Sequence, residues 1–422
     1  MTSKTNSVLK SYLFLILLVC GIILGCIVGA FWPGATALQP VGTLFVNLML
    51  CVVVPLVFTS IASAVATMKS PTRAGKIMGS SIAFFVATGV IAAVIMILIC
   101  RAVPLVETAW TGLEATTDTA KEVTIGGMIV NAFTVDDFSK LLSRSNLLPL
   151  IVFAILFGIG VNKVGGPECA VAKLLIQTSE VVLQIVRMVT YLAPIAFFGL
   201  FAALVATYGP RMIGDYGRSL LVYYPTCIIY CLIMFPLWAF IGGGMPAVKI
   251  MASKVLRPVV TAMGTCSSAA TIPTNLEIAV ESGIPKDVAE MVIPLGATMH
   301  MDGVVISTVV KAALLFGVFG MDFKDVGIGK YALLVFIAVF AAVGSAAVPR
   351  GGLIVESLIC QLFFPEHVAV AFPLILAFGQ LADPGSTMVN ASGDYVLCFI
   401  VSRITDGKDW LQKKLHAGKA AE

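Results

Sequence analysis

Charge is what this sequence has least of. Asp, Glu, Lys and Arg make up 12% of its 422 residues against 59% hydrophobic, and the mean hydropathy is +1.01; an ordinary soluble domain carries about 25% charge and 45–50% apolar residues. So few charges cannot cover a globular surface, which excludes a soluble enzyme or a nucleic-acid-binding module. Histidine is scarce as well, with three in all. The Ser267-Ser268 pair has only distant histidines and no hydrolase-type elbow, so a nucleophile with its base is missing and a membrane enzyme is disfavoured. Among ten cysteines there is no metal-type CxxC spacing. Cys20, Cys26, Cys51, Cys100, Cys227, Cys231, Cys360 and Cys398 fall inside or at the ends of apolar runs and read as reduced packing residues. A cleavage site is also lacking after the first apolar run, Ser11 to Trp32, which is longer than a signal-peptide core and reads as a first transmembrane helix.

What is abundant is apolar runs of spanning length, since a hydrocarbon core of about 30 Å takes roughly 20 helical residues. Runs at about 11–32, 41–67 and 77–103 precede a polar stretch, 104–145, that holds Glu107, Glu114, Asp118, Glu122, Asp136 and Asp137. Further runs begin near Leu147 and cover about 171–207 and 217–243. With a cytoplasmic N-terminus, the basic clusters Lys4/Lys10, Lys69/Arg73/Lys76, Lys249/Lys254/Arg257 and Lys408/Lys413/Lys414 share one side and the acidic stretch lies outside. The positive-inside rule thus predicts six conventional spans before residue 245, with both termini cytoplasmic.

The last third is interrupted at membrane depth. Thr261–Ser282 and about 331–364 each read as a helical hairpin with a non-helical tip, centred on Gly264–Pro273 and Gly344–Gly352. Each is followed by a longer run that is itself expected to break, at Thr298–Gly303 and at Asp383–Asp394. Open backbone at this depth is tolerated only where protein or a polar cavity surrounds it, and paired interruptions in two halves mark a transporter binding site.

Three stretches carry a resemblance: Cys266-Ser267-Ser268-Ala269-Ala270-Thr271-Ile272-Pro273, Pro294-Leu295-Gly296-Ala297-Thr298-Met299-His300-Met301-Asp302-Gly303, and Thr387-Met388-Val389-Asn390-x-x-Gly393-Asp394. Together with Pro55-Leu56-Val57-Phe58 they are similar to the dicarboxylate/amino acid:cation symporters, the glutamate transporter family, over about residues 12–405. The resemblance implies an all-α integral membrane protein of eight transmembrane helices and two re-entrant hairpins, with helices 7 and 8 broken. It implies a homotrimer in the lipid bilayer, a bacterial inner membrane in a prokaryotic-type member, and a transport domain that slides as an elevator. Residues 1–76 would be scaffold helices 1 and 2, and 77–103 helix 3 of the transport domain. Residues 104–207 would be the external loop with scaffold helices 4 and 5, 208–405 the transport core, and 406–422 a cytoplasmic tail.

By the same resemblance the coupling ion is sodium and no organic cofactor or nucleic-acid partner is involved. One sodium falls at the Asp394 carboxylate with carbonyls of Gly296, His300 and Asn390; a carboxylate near the membrane centre is costly and usually functional, the plainer reading being a helix cap. A second falls beneath the second hairpin, mostly on backbone, with Thr298 and Ser345. At the third, Asp302 and Thr88 remain, but His300 stands where the family has asparagine, and Gly89 and Phe85 where hydroxyls are usual. Two readings stay open: His300 carries a proton in place of that sodium, or it is a neutral histidine bonded to Asp302 or a carbonyl. Lys311 either supplies a fixed positive charge or snorkels to an interface. Glu277, Glu356 and Arg101 read as solvated or paired at segment ends.

For the organic substrate, Asp383 matches the family's amino-group ligand, and Asn390 and Thr387 the groups that hold the main-chain carboxylate and amine. Backbone N–H groups of Ser268 and of the Val348–Gly352 tip add donors. The arginine that grips an acidic side chain is Ser386 here, and its helper threonine is Val304, which points to a neutral amino acid. Arg350, at the tip of the second hairpin, either reaches a substrate carboxylate, which favours an acidic amino acid, cystine or a dicarboxylate, or faces external water. A substrate-gated anion channel is the rival outside the symporter class.

Overall fold

The computed structural model describes residues 2–67, 72–107, 110, 134–143, 146–209, 211–341 and 353–413. Glu114, Asp118, Glu122, Ser345, Val348, Arg350, Gly352 and Lys414 lie outside them. Every regular element among the described residues is helical. The principal helices are α1 (Thr2–Phe31), α2 (Gln39–Ala66), α3 (Thr72–Ala102), α4 (Leu147–Val164), α5 (Ala170–Thr190), α6 (Ala193–Tyr208) and α7 (Arg211–Lys254). They continue with α8 (Leu256–Thr265), α9 (Ser268–Glu281), α10 (Lys286–Met299), α11 (Asp302–Val318), α12 (Ile328–Phe336), α13 (Leu353–Phe363) and α14 (Val368–Asp406). Among the described residues, four stretches are long and apolar enough to cross a bilayer on their own: Gly75–Ala102, Ile213–Lys254, Lys286–Val318 and Pro365–Asp406. Shorter apolar helices, including Ile16–Phe31, Pro149–Val164 and Ala193–Tyr208, accompany them.

The helices sort into two packed groups. In the first, α2 packs on α4, α5 and α6, and α1 lies along α6. The α1–α6 contact follows from a stripe of small residues, Gly21, Gly25 and Gly29: a Cβ on Gly29 would come within 2.9 Å of the Val205 Cβ, and the other two approach backbone of Pro194 and Phe198. Between apolar helices in lipid such close approach is what van der Waals attraction requires. In the second group α14 is the axis, with α7, α8, α10 and α11 packed on it and α3 against α10 and α11.

Three local outcomes differ from the sequence reading. The run 171–207 is two helices, parted at Tyr191-Leu192 just before Pro194, a residue favoured in the first turn of a new helix. The tip of the first hairpin is shorter than expected: Cys266 takes a left-handed conformation (φ 48°), Ser267 is extended, and α9 begins at once. The Ser267 hydroxyl accepts from the Ala270 N–H at 3.2 Å, an N-cap that lets helix resume despite Pro273. Finally, α14 runs unbroken through Asp383–Asp394, although Pro384 cannot donate to the carbonyl four residues back. Hydroxyls from α7 attend the loosened turn, Tyr224 donating to the Leu381 carbonyl at 2.6 Å and Tyr223 to the Ala382 carbonyl at 3.0 Å.

The break between α10 and α11 is as expected: His300 is extended and Met301 non-helical. Helix α7 also carries a kink, at Gly243-Gly244, where the run was expected to end.

Candidate functional site

The break at His300-Met301 exposes the first N–H groups of α11, which have no partner within their own helix. Asn390 of α14 supplies one: its Oδ1 accepts from the Gly303 N–H at 2.7 Å, and its Nδ2 lies 3.4 Å from the Met301 sulfur. The side chain expected to hold substrate therefore also ties the interrupted helix to the axis of the second group.

His300 is 2% exposed and is inserted between two carboxylates. Its Nδ1 is 3.0 Å from Asp394 Oδ1 and 3.2 Å from the Asn390 carbonyl; its Nε2 is 3.2 Å from Asp302 Oδ2, a close approach without hydrogen-bond alignment. Asp302 in turn accepts from the Thr88 hydroxyl at 3.0 Å and the Tyr230 hydroxyl at 2.6 Å. The Phe85 ring lies beside the imidazole, centroids 5.2 Å apart. Asp302, Asp394, Thr88 and His300 thus form one buried cluster, and Tyr230 is a member that sequence reasoning missed.

Asp394 is fully buried, and its Oδ2 has no hydrogen-bond partner among the described residues. An orphaned carboxylate oxygen at this depth is an acceptor awaiting a cation or a donor. Gly296 borders it so closely that an added Cβ would sit 2.7 Å from the carboxylate carbon. Carboxylate oxygen and nearby backbone carbonyls are the hard ligands an alkali cation takes. Thr298 directs its hydroxyl to the Leu295 carbonyl at 2.8 Å instead of toward this cluster.

Along α14, Asp383, Ser386, Thr387, Asn390 and Asp394 recur at helical spacing on one face. Thr387 and Asp383 are 3.4 Å apart through Oγ1 and Oδ1. The Ser386 hydroxyl is 2.8 Å from the Tyr223 hydroxyl and 3.2 Å from the Gly303 carbonyl. Val304, next to Gly303, is partly buried, and Ser268 opens α9 of the first hairpin, which is held to α14 by the Asn275 amide donating to the Ala391 carbonyl at 2.7 Å.

Lys311 does not snorkel to an interface, and Glu356, in the first turn of α13, is paired as one of its two readings had it but is buried: the two meet at 2.7 Å with side chains 2% and 1% exposed, joining α11 to α13. Gly379 of α14 makes the room, because a Cβ there would run into the Glu356 carboxylate and lie 3.1 Å from the Lys311 ammonium. Arg101, by contrast, does lie at a helix end, 5.5 Å above the Tyr331 ring.

The sequence profile of the sodium:dicarboxylate symporter family matches residues 14–404. Among curated proteins, the chain is 25% identical to the C4-dicarboxylate transport protein of Sphingopyxis alaskensis over 92% of this chain and 88% of that one. It is 26% identical to the corresponding protein of Deinococcus radiodurans, over 93% and 89%. It is also 26% identical to the proton/sodium-glutamate symport protein of Geobacillus stearothermophilus, over 91% of this chain and 92% of that one.

Proposed function

Since this chain belongs to the sodium:dicarboxylate symporter family, we propose that it imports a neutral amino acid together with sodium. Proteins of this family are transporters, and no bond is made or broken. The observation that carries the substrate assignment is Ser386. Where a carrier of acidic side chains needs a guanidinium, this chain places a hydroxyl engaged with Tyr223 and the Gly303 carbonyl, beside the apolar Val304. A carboxylate brought there would be desolvated without a partner, at a cost of several kcal/mol. Asp383 offers an anion for the substrate ammonium, and Asn390 and Thr387 offer groups for its main chain.

In this reading sodium binds at the orphaned Asp394 oxygen with carbonyls of Gly296, His300 and Asn390. His300, wedged between Asp302 and Asp394, occupies the place of a further cation, so fewer sodium ions accompany each substrate. Thr298 and Ser345 belong to a second sodium site under the second hairpin, and backbone donors of Ser268 and the Val348–Gly352 tip complete the substrate site. The two packing groups support a division into a scaffold and a moving transport domain, in a homotrimer of eight-span subunits with two re-entrant hairpins. They would work as an elevator in a bacterial inner membrane, with both termini cytoplasmic.

A second reading takes its support from the names of the relatives, which are dicarboxylate and glutamate carriers; an acidic substrate would then be held by Arg350. A thermal-shift panel separates the two, because a ligand that binds only the native state raises its apparent stability in proportion to occupancy. Serine, alanine, aspartate, glutamate and succinate would be compared with and without sodium. Sodium-dependent stabilisation by neutral amino acids is expected; stabilisation by aspartate or succinate alone, lost in Arg350→Ala, overturns the assignment.

A further inference from the structure

At the end of α11 away from His300, a cavity of about 600 Å³ opens between α11, the first turns of α7 and the stretch that follows α3, a size in the range of small-ligand sites. Gly317, on its wall, lies fifteen residues beyond Asp302, about 22 Å along the helix, so the cavity is separate from the binding region already described. The charge pattern places this end outside, since α3 runs here into the acidic stretch 104–145. The three walls are fastened to one another. The Trp110 N–H donates to the Val318 carbonyl at 3.0 Å, and the Trp110 indole to Asp215 at 2.9 Å. Val106 packs on Gly317 so closely that an added Cβ would come within 2.6 Å of it, and Glu107 pairs with Arg218 of α7. Helix α11 ends in a turn at Gly320 (φ 75°), where the Met321 N–H donates back to the Phe316 carbonyl at 2.8 Å. That turn brings Asp322 and Lys324 to the rim.

Floor and rim differ in chemistry. Cys100, Ala313 and Gly317 make a floor of small residues, whereas Glu107, Arg218, Asp322 and Lys324 ring the mouth, two acids and two bases. Of the five N–H donors of Arg218 one goes to Glu107, and Asp322 commits one oxygen, to the Lys324 N–H at 2.9 Å. The Lys324 ammonium has no partner among the described residues. An exposed ion pair such as Glu107–Arg218 contributes little by itself, so a ligand can take up these charges at little cost. The ring is neutral as a whole, and a ligand of one sign gains on one side and is opposed on the other. A molecule that carries both signs meets both. The carbonyl end of α11 adds negative potential beside Asp322, which fixes where an ammonium goes. We propose that this cavity is a second, external site for a small zwitterion, its anionic group against Arg218 and Lys324, its ammonium against Asp322, and its short carbon linker over the small-residue floor. A free amino acid and the headgroup of phosphatidylethanolamine share this chemistry.

The inference stands apart from the choice of substrate at the central region, and so does its test. Met321, exposed at the rim, would be changed in the full-length protein, and Met321→Cys labelled with a methanethiosulfonate reagent in sodium-free buffer and read peptide by peptide by mass spectrometry. Native Cys100, on the floor, is the second reporter should that variant fold poorly. In phosphatidylglycerol nanodiscs alanine is expected to protect the reporter, while ethylamine and propionate, which carry one charge each, do not. A ligand at about ten times its Kd leaves roughly a tenth of the sites empty, so labelling should slow about tenfold. Arg218→Gln and Asp322→Asn should each abolish that protection. Slow labelling in phosphatidylethanolamine nanodiscs with no free zwitterion present, relieved by the same two changes, identifies the occupant as the lipid headgroup. Labelling that neither alanine nor phosphatidylethanolamine slows, equal protection by propionate or ethylamine, or protection that survives both rim variants overturns the site.

Discussion

Replacing Glu356 by glutamine would leave the Lys311 ammonium buried without its counter-charge while changing side-chain volume little. The pair is 2.7 Å apart with side chains only 2% and 1% exposed in a bundle of apolar helices, so solvent does not relieve the charge that remains; among the described residues Glu356 Oε2 has no hydrogen-bond partner. Breaking such a pair from one side costs about 3–5 kcal/mol, whereas exchanging both members for apolar residues of similar volume is often neutral or stabilising. The gain from the pair's attraction is largely cancelled by the desolvation of two ions, and only the single variants are left with the cost and no gain. At roughly 2 °C per kcal/mol for a large chain, Glu356→Gln should lower the melting temperature by about 6–10 °C. The same holds for Lys311→Met, and the double variant Lys311→Met/Glu356→Leu should melt near wild type. Fluorescence-detected size exclusion after heating the detergent-purified protein reads all three. Single variants that melt within 1–2 °C of wild type, or a double variant that melts at the sum of the two losses, would refute a buried, mutually dependent pair.

Asp394→Asn should remove sodium-dependent thermal stabilisation with the fold intact, and unchanged sodium affinity would defeat the assignment of that oxygen. Gly296→Ala should act on the same site by steric means, pushing a methyl group into the Asp394 carboxylate; wild-type sodium binding in this variant would place the ion elsewhere. His300→Asn should steepen the sodium dependence of substrate binding, because it vacates the space between Asp302 and Asp394, and a Hill coefficient that stays put returns His300 to a packing role. The double change Ser386→Arg/Val304→Thr should move preference toward aspartate, and more strongly with Tyr223→Phe added, since the tyrosine hydroxyl otherwise holds the side-chain position; competition binding against radiolabelled serine reports the shift.

What the sequence made legible was whatever breaks a pattern locally. Proline, glycine and a histidine-aspartate pair inside an apolar run are visible without coordinates, and the interruption at His300-Met301 and the turn between α8 and α9 lie where those residues put them. The interruption expected in α14 does not form: Pro384 deprives one carbonyl, that of Gln380, of its helical donor, and two tyrosines 157 and 159 residues earlier in sequence donate to the adjoining Leu381 and Ala382 carbonyls of the same turn. The partnership of Lys311 with Glu356 was hidden for the same reason: a lysine and a glutamate in apolar helices each leave an interfacial reading open until the fold sets them side by side, a long-range fact with no local signature.

The tyrosines of α7 carry a further local signal. Tyr216, Tyr223 and Tyr230 repeat every seven residues in α7, which places them on one face two turns apart. All three are buried, and their hydroxyls reach the Leu374 carbonyl, the Ala382 carbonyl with Ser386, and Asp302. A phenol in an apolar helix must find a partner for its hydroxyl when it is buried, so a row of them at helical period announces a row of polar groups on the facing helices. Here that row is two turns of α14 and the acid of the interrupted α10–α11 helix, so α7 supplies one hydroxyl hydrogen to each: the Leu374 carbonyl, the Ala382–Ser386 turn and Asp302.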